Sequence, residues 1–125
     1  MSILKKIFGE PEQKSENRLN WIPLTSIEQL DELTSSNSAI AIFKHSTRCI
    51  VSSMAKKQLE SSFDLDDTIE MYYLDLITYR NISNEIADRF NIRHESPQLI
   101  VLKANKVQTY ASHSAISEIE LEKYI

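Results

Sequence analysis

The stretch 39-AIAIFKHSTRCIVSSMA-55 joins a continuous apolar run to a segment of helical periodicity, with a polar loop between them. The run 39–44 is too short for a helix between polar ends. Unbroken apolar runs of this kind are typical of a central parallel strand that is covered on both faces. The apolar residues that recur at helical spacing beyond the loop are Ile50, Met54, Ala55 and Leu59. They predict a helix from about Cys49 to Phe63 whose apolar face packs on the core.

The elements on either side of this unit alternate between strands and helices. Upstream, residues 21–24 form an edge strand, because Pro23 cannot donate to a central ladder, and Ser26 is a good N-cap for a helix at 27–35. Downstream, the pattern predicts strands at 69–76, 98–103 and 106–112, a helix at 80–92 and a closing helix at 116–125. The order β-α-β-α-β-α-β-β-α is that of the thioredoxin fold, an α/β class with a central mixed sheet flanked by helices.

The chain has the length of one domain, at 125 residues. Residues 1–20 are interpreted as an N-terminal tail and polar linker, and residues 21–125 as the thioredoxin-like domain. The only glycine, Gly9, lies outside this domain. The turns are therefore expected to use asparagine, which tolerates left-handed backbone geometry better than most residues, at Asn37, Asn91 and Asn105.

Composition argues against several classes of function. A net charge of -4 offers no basic excess for the phosphates of a nucleic acid. Residues 1–9, MSILKKIFG, lack the long apolar core of a secretory signal and are too short to span a bilayer. A single cysteine forms no disulfide framework, and nothing in the sequence resembles a metal-ligand cluster. We therefore expect a cytoplasmic protein with no nucleic-acid or membrane partner and no bound metal.

Cys49 is the residue most suited to act as a chemical nucleophile. In the first turn of a helix, unpaired backbone N–H groups and the helix dipole favour a thiolate, which is the reactive form of cysteine. An ordinary cysteine has a pKa near 8.5 and is only about 3% ionised at pH 7. The polar residues 44-KHSTR-48 precede the thiol, and Lys44 and Arg48 would make the site electropositive. The alternative is a small core residue, the commoner role of a lone buried cysteine.

The segment 95-ESPQ-98 is the second candidate feature of the site. In thioredoxin-like folds a proline immediately before this strand has a cis peptide bond and faces the active cysteine. Pro97 stands at that place, and a cis bond would turn the Ser96 backbone toward the thiol, ready to pair with an incoming disulfide-bearing chain. The alternative is a proline that only begins a strand.

Four segments together resemble the YtxJ-type monothiol bacilliredoxins, a thioredoxin-like family: 43-FKHSTRC-49, Ser52, 80-RNISNEIADRFNIRHESPQ-98 and 112-SHSAIS-117. The resemblance runs from about Trp21 to the C-terminus. It implies removal of bacillithiol, a low-molecular-weight thiol, from the cysteines of client proteins. Bacillithiol would then be a co-substrate with no cofactor bound, and S-bacillithiolated proteins would be the partners of a chain that we expect to be monomeric.

The resemblance also implies roles for individual residues. Cys49 would be the nucleophile, Pro97 the cis-proline, and Ser52 would stand where dithiol relatives have a resolving cysteine. The active-site loop would consist of Lys44, His45, Ser46, Thr47, Arg48, Ile50 and Ser52. Many thioredoxin-like motifs place proline after the cysteine. Because proline suits the first helical position, Ile50 in its place is expected to alter the start of the helix and the acidity of the thiol.

Basic residues are candidates for holding the malate carboxylates of bacillithiol. They are Lys44, Arg48, Arg80 and Arg93, each of which is, taken alone, more simply a solvated surface charge. His45 adjoins the loop and is a candidate for tuning the thiol. His113 matches a family feature of unknown role and is kept as a substrate-binding candidate, whereas His94 is interpreted as structural.

Two other functions remain open at the level of the sequence. Ser46 lies three residues before Cys49, which echoes the Thr/Ser-x-x-Cys pattern of peroxiredoxins, although the domain is small for that family and the proline expected upstream is missing. A binding module that keeps the fold with an inert cysteine is the other alternative. With one cysteine in the chain, a resolving thiol must in any case come from outside.

Overall fold

The computed structural model describes residues 21–62 and 69–124, in which five strands form one mixed sheet of order β1-β3-β2-β4-β5. The strands are β1 (Trp21–Pro23), β2 (Ile40–His45), β3 (Glu70–Asp75), β4 (Gln98–Lys103) and β5 (Lys106–Ser112). The α-helices are α1 (Ile27–Thr34), α2 (Ile50–Ser62) and α3 (Arg80–Phe90), and two 3₁₀ helices follow at His113–Glu118 and Leu121–Tyr124. This is the α/β architecture that the sequence predicts. The proposed tail 1–20 and the predicted helix ends at Phe63 and Ile125 lie outside the described residues.

The strand pairings place β2 at the centre of the sheet. It pairs in parallel with β3 and antiparallel with β4, while β1 lies at one edge beside β3. The hairpin of β4 and β5 is antiparallel, with an irregularity between Val101 and Leu102. The central strand, the edge strand with Pro23 and the late hairpin are therefore confirmed.

Each face of the sheet has its own apolar cluster. Alternate residues of β2 point to opposite faces, as the pleat of a strand requires. Phe43 belongs to the cluster that contains Leu59 of α2 and Ile116 of the first 3₁₀ helix. Ile42 belongs to the cluster formed with α1 and α3, which includes Leu30, Ile82 and Ile86. The helices thus cover both faces, and the carboxyl end of β2 leads directly to the loop before α2.

The predicted apolar face of α2 is half wrong. Leu59 is buried and Ala55 packs against its cluster, but Ile50 and Met54 are 76% and 64% exposed. Each pair has helical spacing, yet residues five apart, such as Ile50 and Ala55, lie about 140° apart around a helix. One pair therefore faces the core and the other faces solvent. The buried position on the first turn is taken by a polar residue, Ser52.

The predicted closing helix at 116–125 is also wrong, because the described part of this segment forms two short 3₁₀ helices. Both Ile116 and Leu121 are buried in the cluster on the α2 side of the sheet. Their spacing of five residues would again separate them by about 140° on one α-helix. The chain instead becomes extended at Ile119, with φ -75° and ψ 128°, which allows both side chains to reach the core.

Asparagines take the left-handed conformation at two of the three predicted turn positions. Asn91 ends α3 in the left-handed conformation with φ 54°, and Asn105 has φ 64° in the hairpin turn. Asn37 is not among the residues with positive φ in the described part of the chain, whereas Ala104 and His113 are. Asn37 lies in the bend between α1 and β2. The expectation of left-handed geometry is therefore right for Asn91 and Asn105 and wrong for Asn37.

Candidate active site

Cys49 lies at the N-cap of α2. It immediately precedes the first helical residue, and its carbonyl oxygen accepts the backbone N–H of Ser53 at 3.1 Å. The Cys49 N–H donates to the carbonyl of Ser46 at 3.1 Å, which closes a tight turn over Thr47 and Arg48. A side chain at an N-cap is placed to accept hydrogen bonds from the N–H groups two and three residues later. The fold therefore gives the thiol an anion-binding position.

The environment of Cys49 favours its thiolate. Hydrogen bonds from the backbone N–H groups of Ser52 and Val51 hold the pKa of the thiol below its ordinary value, the Ser52 hydroxyl adds to the effect, and partial burial opposes it. These donors are neutral, so the expected contribution of Lys44 and Arg48 to thiol acidity is not what lowers this pKa. The thiol is partly exposed, which rules out the role of a fully buried core residue.

Ser52 connects the thiol to a second segment. Its side chain is fully buried, and its Oγ accepts the Ser46 N–H at 3.4 Å and lies 3.4 Å from the Oγ of Ser96. Ser96 precedes Pro97, and the peptide bond between them is cis. The structure thus brings Ser96, from a separate segment of the sequence, to Ser52, which lies one helical turn after Cys49.

Residues 93–97, which we call the proline loop, are hydrogen-bonded to Gln98 of β4 and to His113, the residue after β5. The carbonyl of Pro97 accepts the backbone N–H of His113 at 2.9 Å. The Nε2 group of Gln98 donates to the carbonyl of Arg93 at 3.0 Å and to the Oγ of Ser112 at 3.2 Å. His113 is exposed, and its left-handed φ of 56° turns the chain so that its N–H meets the loop. In the part of the chain that the structure describes, His113 contacts the proline loop through this main-chain hydrogen bond.

Lys44 does not lie in the active-site loop. Its side chain is fully buried on the face covered by α1 and α3, opposite to the face that receives α2. Its Nζ donates to the carbonyl of Ser83 at 3.3 Å and lies 3.5 Å from the Nδ1 of His94. Burial lowers the pKa of Lys44 to about 8. The expectation that Lys44 makes the thiol site electropositive and binds a carboxylate is therefore wrong.

His45 is buried on the same face as α2. Its ring lies 5.6 Å from that of Phe43 and 5.3 Å from that of Tyr73, measured between ring centroids. Burial, and then the charge of Lys56, lower its pKa, while a hydrogen bond with the Ser52 backbone raises it. In the described part of the chain its Nδ1 has no hydrogen-bond partner. His45 thus adjoins the start of α2 mainly as a neutral aromatic ring.

A cleft of about 350 Å³ lies next to the loop between β2 and α2, and the sequence does not predict most of the residues that line it. It is lined by His45, Thr47, Ser53, Lys56, Lys57, Glu60 and Tyr73. The Nζ of Lys56 forms an ion pair with the Oε2 of Glu60 at 2.8 Å. It also lies 5.7 Å from the ring centroid of Trp21 and 5.6 Å from that of Tyr73. The Lys-x-x-x-Glu spacing on a helix was the available sequence signal, whereas the aromatic partners come from distant strands.

The three arginines that the sequence offers as candidates for carboxylate binding face solvent, and so do three apolar residues next to the thiol. Arg48, Arg80 and Arg93 are exposed, and no described hydrogen bond or ion pair joins their side chains to Cys49. Ile50, Val51 and Met54 form an exposed apolar surface on the first turns of α2.

In residues 21–62 and 69–124, no group of three His, Cys, Asp or Glu is arranged to hold a metal ion. None of the helices in those ranges has the length and apolar character needed to cross a membrane.

Comparison with known proteins gives one family match and many structures of similar fold. The family model for the monothiol bacilliredoxin BrxC matches residues 22–121. A structure of thioredoxin fold, provisionally assigned as an oxidoreductase, is 29% identical with a TM-score of 0.74 and covers 83% of this chain and 92% of its own. Thioredoxin from Trypanosoma brucei brucei is 12% identical, with a TM-score of 0.69 and coverage of 81% and 85%. Mitochondrial thioredoxin 3 from Saccharomyces cerevisiae is 16% identical, with a TM-score of 0.67 and coverage of 87% and 94%. The predicted thioredoxin-like fold is confirmed.

Proposed function

Since the chain belongs to the monothiol bacilliredoxin family, we propose that it removes bacillithiol from mixed disulfides on client proteins, with Cys49 as the nucleophile. The observation that carries this proposal is the Cys49 side chain at the N-cap of α2, where the N–H groups of Val51 and Ser52 favour its thiolate. The chain contains no second cysteine. These two facts support a one-thiol exchange reaction.

The first step transfers bacillithiol to the protein. The Cys49 thiolate attacks the bacillithiol sulfur of the mixed disulfide, a new disulfide forms between Cys49 and bacillithiol, and the client sulfur leaves as a thiolate that takes a proton from water. The client is thereby reduced, and Cys49 is oxidised by the same two electrons. Ser52, which cannot form a disulfide, stabilises the Cys49 thiolate before the attack.

The second step regenerates the thiol. The thiolate of a free bacillithiol attacks the bacillithiol sulfur on Cys49, which releases bacillithiol disulfide and the Cys49 thiolate. An external thiol is required because Cys49 is the only cysteine in the chain. Bacillithiol is therefore a co-substrate of the proposed reaction, with no bound cofactor.

Two sets of exposed residues are candidates for binding the two halves of the substrate. The exposed apolar residues Ile50, Val51 and Met54 offer contact area to a client protein. The Ser96 side chain lies beside Ser52, which supports the proposal that the Ser96 backbone pairs with the extended chain of the client. The exposed Arg48, Arg80 and Arg93 are the remaining candidates for the bacillithiol carboxylates. We propose that residues 21–125 act as a monomeric cytoplasmic domain, with no nucleic-acid or membrane partner.

The test uses a client protein with one bacillithiolated cysteine. Incubation with the wild-type chain should restore the client thiol and add the mass of one bacillithiol to Cys49, and added bacillithiol should then remove that mass. The Cys49→Ser variant should do neither. Formation of a sulfenic acid with peroxide but no bacillithiol adduct would indicate a thiol peroxidase. A Cys49 that accepts neither would indicate a binding module.

A further inference from the structure

Two polar residues lie side by side in the buried centre of the sheet. Lys44 of β2 is paired directly with Gln98 of β4 in the antiparallel ladder, and both side chains are fully buried. Residues directly opposite each other in such a ladder project to the same face. Their neighbours on that face, Ile42 and Ile100, belong to the apolar cluster with α1 and α3. An ammonium and an amide are thus enclosed at one end of a mainly apolar layer.

Both side chains reach the proline loop at adjacent residues. The Nζ of Lys44 lies 3.5 Å from the Nδ1 of His94, and the Nε2 of Gln98 donates to the carbonyl of Arg93 at 3.0 Å. Because an ammonium has no lone pair, the Nδ1 of His94 is the acceptor in its contact. The same Nδ1 lies 3.0 Å from the Oγ of Ser83 in α3. The amino-terminal end of the loop is therefore held from inside the sheet at two consecutive residues.

Stability of the core does not account for these two residues. A buried ammonium is costly unless a carboxylate compensates it, and in the described residues no carboxylate lies within ion-pair distance of Lys44. The Oε1 of Gln98 is buried and has no partner in the same part of the chain. Apolar side chains of similar length would fill the space at lower cost. What these residues supply is their donors, which bind Ser83 and Ser112 and also reach the proline loop at His94 and Arg93.

We propose that Lys44 and Gln98 form a clamp that fixes the proline loop relative to Cys49, and that both are positioning residues for the binding of client disulfides. The proposal rests on the thiol exchange proposed above. The other end of the loop contains Ser96, whose Oγ lies 3.4 Å from the Oγ of Ser52. A loop fixed at Arg93 and His94 keeps Ser96 against Ser52, one helical turn from the thiol, and in the proposed reaction the client chain pairs with the main chain of Ser96.

The experiment compares Lys44→Met and Gln98→Met with Lys103→Met, an exposed lysine of β4 that serves as the matched control. Thermal unfolding first establishes that each variant is folded. Hydrogen exchange is then measured at the amides of residues 93–96, which requires no substrate. The kcat and KM for reduction of a bacillithiolated protein, and the rate of Cys49 alkylation by iodoacetamide, complete the set. Alkylation requires the thiolate but not the loop.

The clamp predicts a specific pattern of effects. Lys44→Met and Gln98→Met each remove a buried donor that reaches the loop. Each variant should therefore show faster exchange in residues 93–96 and a KM raised by about tenfold. The kcat and the alkylation rate should stay within about twofold of the wild type, because Cys49 keeps its own donors in α2. Lys103→Met should match the wild type in every measurement.

Three results would overturn the clamp. They are unchanged exchange and KM in both folded variants, a fall in alkylation equal to the fall in client reduction, and loss of the fold in both variants, which would show a role in the core alone. Failure of the wild type to reduce the bacillithiolated client would instead contradict the proposed function. The exchange measurement would still decide whether Lys44 and Gln98 hold the loop.

Discussion

Cys49 and Lys44 lie five residues apart, and each has a lowered pKa for a different physical reason. Cys49 is partly exposed at the N-cap of α2, where the backbone N–H groups of Ser52 and Val51 stabilise its anion. Lys44 is fully buried in β2, where burial disfavours its cation and lowers its pKa to about 8. The same direction of shift therefore makes one group more charged at neutral pH and the other less so.

The difference between the two groups shows where the acidity of the thiol originates. A cation close to a thiol is a common cause of a low cysteine pKa. Here Lys44, the buried cation that precedes Cys49 by five residues, points to the other face of the sheet and contacts Ser83 and His94. The start of α2 supplies the donors instead, and Lys44 contributes to the position of the proline loop. Chemical activation and loop positioning are thus assigned to separate faces of one sheet.

The largest expected effect concerns Lys44 and the pH dependence of stability. In the unfolded chain Lys44 keeps its ordinary pKa of 10.5, whereas the folded value is about 8. Between these values the unfolded state binds more protons, so the free energy of unfolding contributed by this group rises with pH. Below pH 8 the group is protonated in both states and adds no slope. We expect the wild type to gain on the order of 2 kcal/mol over Lys44→Met between pH 7.5 and 10.5.

Urea unfolding of both proteins across this pH range, under reducing conditions, measures the gain. Taking the difference removes contributions that both share, such as those of Cys49 and of Tyr72, whose pKa burial raises to about 12. The groups around the ammonium that remain in the variant are Ser83, His94 and Gln98, with Arg80 and Glu95 acting on His94. A difference that does not change with pH would mean that Lys44 is not desolvated, and would remove the contrast with Cys49.

A smaller effect is expected at Ser52, which tests the other half of the contrast. Ser52→Ala removes the hydroxyl that adds to thiolate stabilisation but leaves the backbone N–H that contributes most. The pKa of Cys49 should rise without reaching its ordinary value, and alkylation by iodoacetamide at pH 7 should slow by about two- to threefold. Stability should fall by about 1 kcal/mol, because the partly buried Ser46 N–H loses its acceptor.

The control is Ser53→Ala, a change of the same size at the next, half-buried position of α2. It should leave the pH profile of alkylation unchanged. If Ser52→Ala also left that profile unchanged, the side chain would matter only for packing. If it raised the pKa of Cys49 fully to the ordinary range, the hydroxyl rather than the helix backbone would be the main donor.

How far the sequence predicts this molecule depends on whether a feature is local. The apolar run of β2 and the turn into α2 are local, so the strand, the helix start and the place of Cys49 follow from the sequence. The side to which Lys44 points depends on which face of β2 receives α2, and its contacts with Ser83 and His94 join three separate segments. The exposure of Ile50 and Met54 has a different cause: this pair and the pair Ala55 and Leu59 each have helical spacing, but the two pairs lie on different sides of α2.

The smallest expected effect is at Ile50, where related motifs place proline. Ile50 is the first residue of α2 and is 76% exposed, so proline there removes little packing and an N–H that the helix leaves unpaired. Ile50→Pro should raise stability by about 0.5 kcal/mol through the unfolded state and leave the alkylation profile of Cys49 within experimental error. The reason is that the donors to the thiolate belong to Val51 and Ser52, which proline does not replace. A clear change in that profile would show that the residue after the cysteine sets thiol acidity through the geometry of the helix start, and the assignment of activation to those two N–H groups would have to be abandoned.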